Sequence, residues 1–281
     1  MLKQRVITAL ALLLILLPAL FYRSPTPFIA IAMVLIAAAA WEWARLNGYG
    51  DGPAILTGGV CALLCTGAWQ FGLLEQSLGT LWILTGAIWV LAGAWLLKGG
   101  VTAWSVYSRP VRLFAGLLLL CLAWLALAQA RVIGINFLIS ILLLVWVADI
   151  SAYFSGRAFG GRIAGVKLAP SISPGKSWEG VWGAMAGVVV MAFVWQWADA
   201  EWGATVPSLY SLLGAKGWWF LLIAVLFLAA MSVVGDLFES LVKRSAGVKD
   251  SSGLLPGHGG VLDRIDALLP TLPLAMMLYS V

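Results

Sequence analysis

Long apolar runs separated by short polar breaks organise the whole chain. Nine apolar stretches fall at about 6–22, 27–45, 54–74, 80–97, 113–129, 133–154, 178–198, 217–235 and 261–280. Crossing roughly 30 Å of hydrocarbon takes about 20 helical residues at 1.5 Å each, so stretches of this length predict membrane-spanning helices. The breaks carry turn and charge signals, such as Ser24-Pro25-Thr26-Pro27, Asn47 to Pro53 and Ser155 to Ser177. Runs such as Val6 to Phe21 and Phe137 to Val147 are unbroken, whereas a membrane β-barrel would alternate over segments of about ten residues. The pattern predicts an all-α polytopic integral membrane protein of about nine transmembrane helices. Its first run has a basic start (Lys3, Arg5), but Pro18 and Tyr22-Arg23 replace a small-residue cleavage site. It therefore reads as a retained span.

Composition sharpens this picture. The 281 residues are 62% hydrophobic and 10% charged, with a mean hydropathy of +1.00, against roughly 25% charge in a soluble domain. A soluble globule is excluded. The net charge of +5 could suit nucleic acid, but its distribution favours topology. With a cytoplasmic N-terminus, 14 of the 17 basic residues lie inside, leaving Arg23, Arg131 and Lys216 outside. No nucleic-acid partner is expected. Trp41, Trp43, Trp95, Trp104, Trp218 and Trp219 stand near predicted span ends, where tryptophan anchors at the interface or simply packs between helices. Cys61, Cys65 and Cys121 lie inside apolar runs and read as packing residues. The single histidine, His258, excludes a multi-histidine metal centre.

Charge also divides the chain. Nine of the 12 acids lie in residues 149–281, so residues 1–130 read as a scaffold of transmembrane helices and residues 131–281 as the catalytic region with cytoplasmic loops. Asp236, Glu239, Ser240 and Lys243 are spaced i, i+3, i+4, i+7 and would line one helical face, followed by Arg244, Lys249 and Asp250. Asp263 and Asp266 repeat the i, i+3 pairing beside Arg264, at the start of the last apolar stretch. A helix end and a helix start would thus bring three or four carboxylates together. Such a cluster near a bilayer is costly unless cations neutralise it, and hard ions such as Mg²⁺ take oxygen ligands. Carboxylates, metal and flanking basic groups together describe a phosphate or pyrophosphate site. Gly257, Gly259 and Gly260 around His258 offer a turn whose N–H groups suit phosphate oxygens. The plainer alternative is a salt-bridged surface helix.

A second constellation runs from Asp149 to Gly180. Asp149 follows a dozen apolar residues, so its ionised form needs a partner or a cavity. Arg157, Arg162, Lys167, Ser173 and Lys176 then decorate a Ser/Pro/Gly loop suited to an anionic headgroup or a triphosphate. Gly175-Lys176-Ser177 imitates the end of a phosphate-binding loop, but Pro170 stands where an earlier glycine belongs and no strand is expected before it. The match reads as accidental.

The run Ser240-x-Val242-Lys243-Arg244, Lys249-Asp250, Leu255-Pro256-x-His258-Gly259-Gly260-Val261-x-Asp263-Arg264-Ile265-Asp266 resembles the signature of the phosphatidate cytidylyltransferases, the integral membrane CDP-diacylglycerol synthases. The resemblance covers all 27 positions from Ser240 to Asp266 and extends to the Asp149–Gly180 region, where Gly175 and Ser177 replace an expected lysine and threonine. It implies that CTP and phosphatidic acid give CDP-diacylglycerol and pyrophosphate for phospholipid synthesis, with Mg²⁺ required. By the same resemblance Asp236 and Asp263 are metal ligands, and Asp266 supports them or a second, monovalent cation such as K⁺. Asp236, Lys243, Asp263 and Asp266 form the catalytic set. Asp149, Arg157, Lys167, Ser173, Lys176, Arg244, Lys249, Asp250, His258, Gly259, Gly260 and Arg264 form the substrate-binding set. A homodimer is also implied. The count of basic residues puts both constellations at the cytoplasmic face, and a short chain with minimal loops fits a bacterial cytoplasmic (inner) membrane.

Three rivals stay open. A CTP-dependent polyprenol or phytol kinase is related chemistry that would not need the whole signature. A CDP-alcohol phosphotransferase would show D-G-x-x-A-R followed by spaced aspartates, which this sequence lacks. A non-enzymatic ion or lipid-phosphate transporter would use Asp149 and the carboxylates as its pathway.

Overall fold

The computed structural model describes residues 2–281, without the side chains of residues 2 and 3, so the expectation for Lys3 lies outside the described side chains. Each predicted apolar stretch contains a helix. In chain order these are α1 (Leu2–Phe21), α2 (Thr26–Leu46), α3 (Asp51–Gln70), α4 (Gly79–Val106), α5 (Arg109–Ile133), α6 (Ile135–Phe159), α7 (Trp178–Glu201) and α9 (Trp218–Ser245). All eight are long and apolar enough to cross a membrane. The ninth stretch is divided into α10 (Leu262–Ile265) and α11 (Leu268–Ser280). At 1.5 Å per residue the 13 residues of α11 cover about 20 Å, short of a full crossing.

Three further departures from the sequence reading concern the breaks. Residues 155–177 are not all loop: β1 (Lys167–Ala169) and β2 (Ser173–Ser177) pair antiparallel, with Lys167 opposite Ser177. A strand therefore does precede the α7 N-terminus, but Gly175 and Lys176 lie within it rather than in a phosphate-cradling loop. The predicted break from Lys98 to Arg112 narrows to Tyr107 and Ser108, between α4 and α5, and α4 runs into it through a kink at Gly100, whose φ of 68° favours glycine. The polar stretch 199–216 holds α8 (Leu209–Ala215).

Two packing devices position the polar half. The first is a small-residue seam between α6 and α7. A Cβ on Gly183 or Gly187 would strike the Ser155 or Ser151 side chain, so the two helices approach as closely as small residues permit. The second is an aromatic wedge on α9. Phe238 stacks on Trp43 of α2 at 5.9 Å and meets Trp89 and Trp104 of α4 edge-on at 5.5 and 5.6 Å. Trp43 and Trp104 are thus core residues rather than interfacial anchors, while Trp95, Trp218 and Trp219 are exposed. The thiols of Cys61, Cys65 and Cys121 converge at the α3–α5 contact within 4.8 Å of one another, and Cys61 and Cys65 are buried, as packing residues should be.

Candidate active site

Asp236, Glu239, Ser240 and Lys243 lie on one face of α9, as the spacing predicts. Glycine at 235 lets this face approach the next segment: a Cβ there would lie 2.5 Å from the Asp266 carbonyl oxygen and 2.8 Å from Pro270 Cδ. Asp236 and Asp266 are brought together by that contact. Their carboxyls interact electrostatically with each other and with Asp149, which reaches the group from α6. A cavity of about 460 Å³ lies between α6, the hairpin, α7 and α9, and its lining includes Asp149, Tyr153, Arg157, Lys176 and Asp236.

Lysines are inserted among these acids. Lys176 of β2 pairs with Asp236, and Lys243 pairs with the fully buried Glu239 and, at 2.6 Å, with Asp263 Oδ1. The other oxygen of Asp263 accepts from Ser251 N and Oγ, both at 2.9 Å, and from Gly260 N at 2.8 Å. Burial alone would raise the Asp263 pKa, but the Lys243 ammonium and these N–H donors outweigh it and hold the carboxyl at about 2. Asp263 is therefore ionised at neutral pH.

The sequence expectation that carboxylates converge needs one correction. Among the described residues no three carboxylate oxygens lie within 4.8 Å of one another. The intervening Lys176 and Lys243 separate them. The donor set still fits a hard divalent ion. Five carboxyls (Asp149, Asp236, Glu239, Asp263, Asp266) face three basic groups (Lys176, Lys243, Arg264). Every acidic donor there is a carboxylate oxygen, the ligand type that such a cation takes.

The remaining expected site residues surround this centre. Arg157 is exposed on the cavity wall and donates to Tyr153 Oη at 2.9 Å. Ser173 opens β2 and Lys167 opens β1, and among the described residues Lys167 forms no ion pair. Arg244 reaches back to the Ile172 carbonyl at 3.4 Å, so the hairpin and the end of α9 touch. Lys249 and Asp250 are exposed, and Arg264 is exposed on α10. His258 lies in a tight turn closed by Leu255 and Gly259, and its Nδ1 is buried without a hydrogen-bond partner among the described residues. Gly259 has φ +84°, and a Cβ there would come 2.7 Å from Asp263 Oδ2, so the turn needs glycine on both counts.

Three acids outside the expected catalytic and substrate-binding sets also build the site, Glu239 among them although its helical face is expected. Glu239 carries the ion pair to Lys243. Glu179 accepts from Ile163 N and Ala164 N, tying the segment before the hairpin to α7. Glu42, from α2, accepts hydrogen bonds from Ser252 Oγ, Val261 N and Leu262 N and lies beside the Ser251 hydroxyl that donates to Asp263. An acid inside an apolar stretch is itself a functional signal, and Glu42 carries it as plainly as Asp149 does.

Comparison with known proteins places this arrangement. The chain is 41% identical over 284 residues to a phosphatidate cytidylyltransferase of Pseudomonas aeruginosa, covering all of this chain and 98% of that protein. It is 36% identical over 327 residues to the protein of that name in Haemophilus influenzae, covering 99% of each. With the Bacillus subtilis phosphatidate cytidylyltransferase the similarity, 37% over 147 residues, spans 52% of this chain and 48% of that protein. The family model described as the cytidylyltransferase family matches residues 3–281, and the chain belongs to that family.

Proposed function

We propose that this protein transfers the cytidylyl group of CTP to phosphatidic acid, giving CDP-diacylglycerol and pyrophosphate, at the cytoplasmic face of a bacterial inner membrane. The observation that carries the reading is the contact between its two polar constellations, Lys176 with Asp236 and Arg244 with Ile172, beside one cavity, in a chain related along its full length to phosphatidate cytidylyltransferases.

Both reactants are anions, so the site must first suppress their repulsion. Asp236, Asp263 and Asp266 would hold Mg²⁺, with Asp149 adding negative charge and Asp266 also able to support a monovalent cation. Bound Mg²⁺ supplies neutralisation of triphosphate charge. Lys176, Lys243, Arg244, Lys249 and Arg264 bind phosphate oxygens. The His258–Gly260 turn shapes the nucleotide end, and Arg157 at the cavity wall receives the lipid headgroup. Exposed Tyr153, Phe154, Trp178 and Trp182 near that wall suit lateral entry from the leaflet.

A phosphatidate oxygen then attacks the α-phosphorus of CTP in line. The new P–O bond forms as the bond to the β-phosphate oxygen breaks, and pyrophosphate leaves. The headgroup is largely ionised near pH 7, so no side chain need remove a proton. Purified protein given CTP labelled at the α- or γ-phosphate, with phosphatidic acid, dolichol or no lipid, tests the assignment. Transfer of the α-label to phosphatidic acid is expected. Transfer of the γ-label to the alcohol would identify a kinase, and absence of turnover with every lipid would favour transport.

A further inference from the structure

Glu42 lies near the C-terminal end of α2, in the half of the chain without a recognisable motif, and is fully buried. Its Oε1 accepts from Val261 N at 2.9 Å and Ser252 Oγ at 2.5 Å. Its Oε2 accepts from Leu262 N at 2.7 Å and lies 3.2 Å from Ser251 Oγ, whose one proton is shared with Asp263. Every donor belongs to the turn that leads into α10. Among the described residues no basic side chain pairs with Glu42 within 4.0 Å, so these donors alone replace its hydration. Burying a carboxylate this way is favourable only while all of them are in place.

The turn held by Glu42 also carries Asp263. Ser251 Oγ lies 3.2 Å from Glu42 Oε2 and 2.9 Å from Asp263 Oδ2, so a single O–H stands between the two carboxylates and donates to one of them at a time. Gly260, whose N–H donates to Asp263, packs directly against Glu42: a Cβ there would strike both Ser251 Oγ and Glu42 Oε1. The outer side of the same turn is tied to α1, where Arg5 Nε donates to the Gly257 carbonyl at 3.0 Å and Thr8 Oγ1 to that of Pro256 at 2.9 Å. Two N-terminal helices thus clamp one C-terminal turn.

We propose that Glu42 is a positioning residue that fixes the 251–262 turn and, through Ser251 and Asp263, sets the affinity of the site for its divalent cation. The inference deepens the functional reading and rests on it only in taking the carboxylate cluster as a cation site. Groups that orient metal ligands typically change metal affinity by about 10- to 100-fold when removed. Glu42→Gln keeps the volume but turns an amide donor toward Val261 N or Leu262 N. Ser251→Ala removes the hydroxyl that lies between Glu42 and Asp263 and leaves the Ser251 N–H to Asp263 and the other donors to Glu42 in place.

The test uses the full-length protein in detergent, without nucleotide or lipid. It measures Mn²⁺ binding by electron paramagnetic resonance and deuterium exchange of the 251–262 amides. Glu42→Gln should weaken Mn²⁺ binding by about 10- to 100-fold and speed exchange at Val261 and Leu262, while α7 stays as protected as in the unaltered protein. Ser251→Ala should shift Mn²⁺ affinity in the same direction, and adding it to Glu42→Gln should cost little more, because both act along one path. Unchanged Mn²⁺ affinity in both single variants would overturn the proposal. If Glu42→Gln does not fold, wild-type Mn²⁺ affinity in Ser251→Ala overturns it alone. If binding and exchange respond as expected but the unaltered protein transfers no cytidylyl group, the positioning role stands and the reaction assignment falls.

Discussion

Asp236 faces the cavity with its charge met by Lys176 and by a long contact, 3.3 Å, from Ser240 Oγ. Asp236→Asn removes the charge of a proposed cation ligand with little change in side-chain volume. Cytidylyl transfer should fall at least about 10²-fold, as expected for a group that stabilises transition-state charge, while the thermal midpoint in detergent stays close to that of the unaltered protein. Wild-type turnover would remove Asp236 from the metal set. Lys243 behaves differently, since the buried Glu239 relies on its ammonium. Breaking such a pair from one side costs about 3–5 kcal/mol, so Lys243→Ala should unfold at markedly lower denaturant in mixed micelles. Adding Glu239→Gln should recover part of that loss without restoring transfer. The two aspartates of the last motif were legible because they sit in a recognisable signature. Glu42 is marked in the sequence only as an acid within an apolar stretch, and nothing there links position 42 to a turn more than two hundred residues away.

At the scale of elements, glycine decides how closely polar segments approach. Gly235→Ala places a methyl group 2.5 Å from a backbone oxygen, and backbone cannot swing aside as a long side chain can. A stability loss of about 1–3 kcal/mol, the usual cost of overpacking, should accompany reduced transfer as α9 and the 266–270 segment are pushed apart. Unfolding in mixed micelles and turnover of the same preparation measure both. Spans were legible because hydrocarbon demands long apolar runs whatever surrounds them. The hairpin was not: its strands have three and five residues, and Pro170, Ser171, Ser173 and Pro174 carry the chemistry of turns. The same limit applies to the ninth stretch, whose hydropathy cannot reveal that it divides into a four-residue and a 13-residue helix.

For the whole molecule, α9 fixes which polar segments share a side. Its 28 residues extend about 42 Å, so Lys216, just before it, and Lys243, near its end, stand at opposite faces of a bilayer. In a cysteine-free background, a cysteine introduced at 216 should react with an impermeant thiol reagent on intact cells. Cysteines at 176 and 249 should react only after the membrane is opened. Labelling of 176 from outside would reverse the orientation.

The clamp on the 251–262 turn bears on how the protein is made. Glu42 leaves the ribosome long before Val261, 219 residues later, and synthesis at 5–20 residues per second makes that interval roughly 10 to 45 seconds. During it α1 and α2 are already inserted, with a carboxylate whose N–H and hydroxyl partners do not yet exist. Glu42 must stay hydrated near the membrane surface until the final segment folds back over it. Closure of the turn is therefore among the last events of biogenesis, and a chain halted before α10 carries seven or eight inserted helices but no assembled carboxylate cluster.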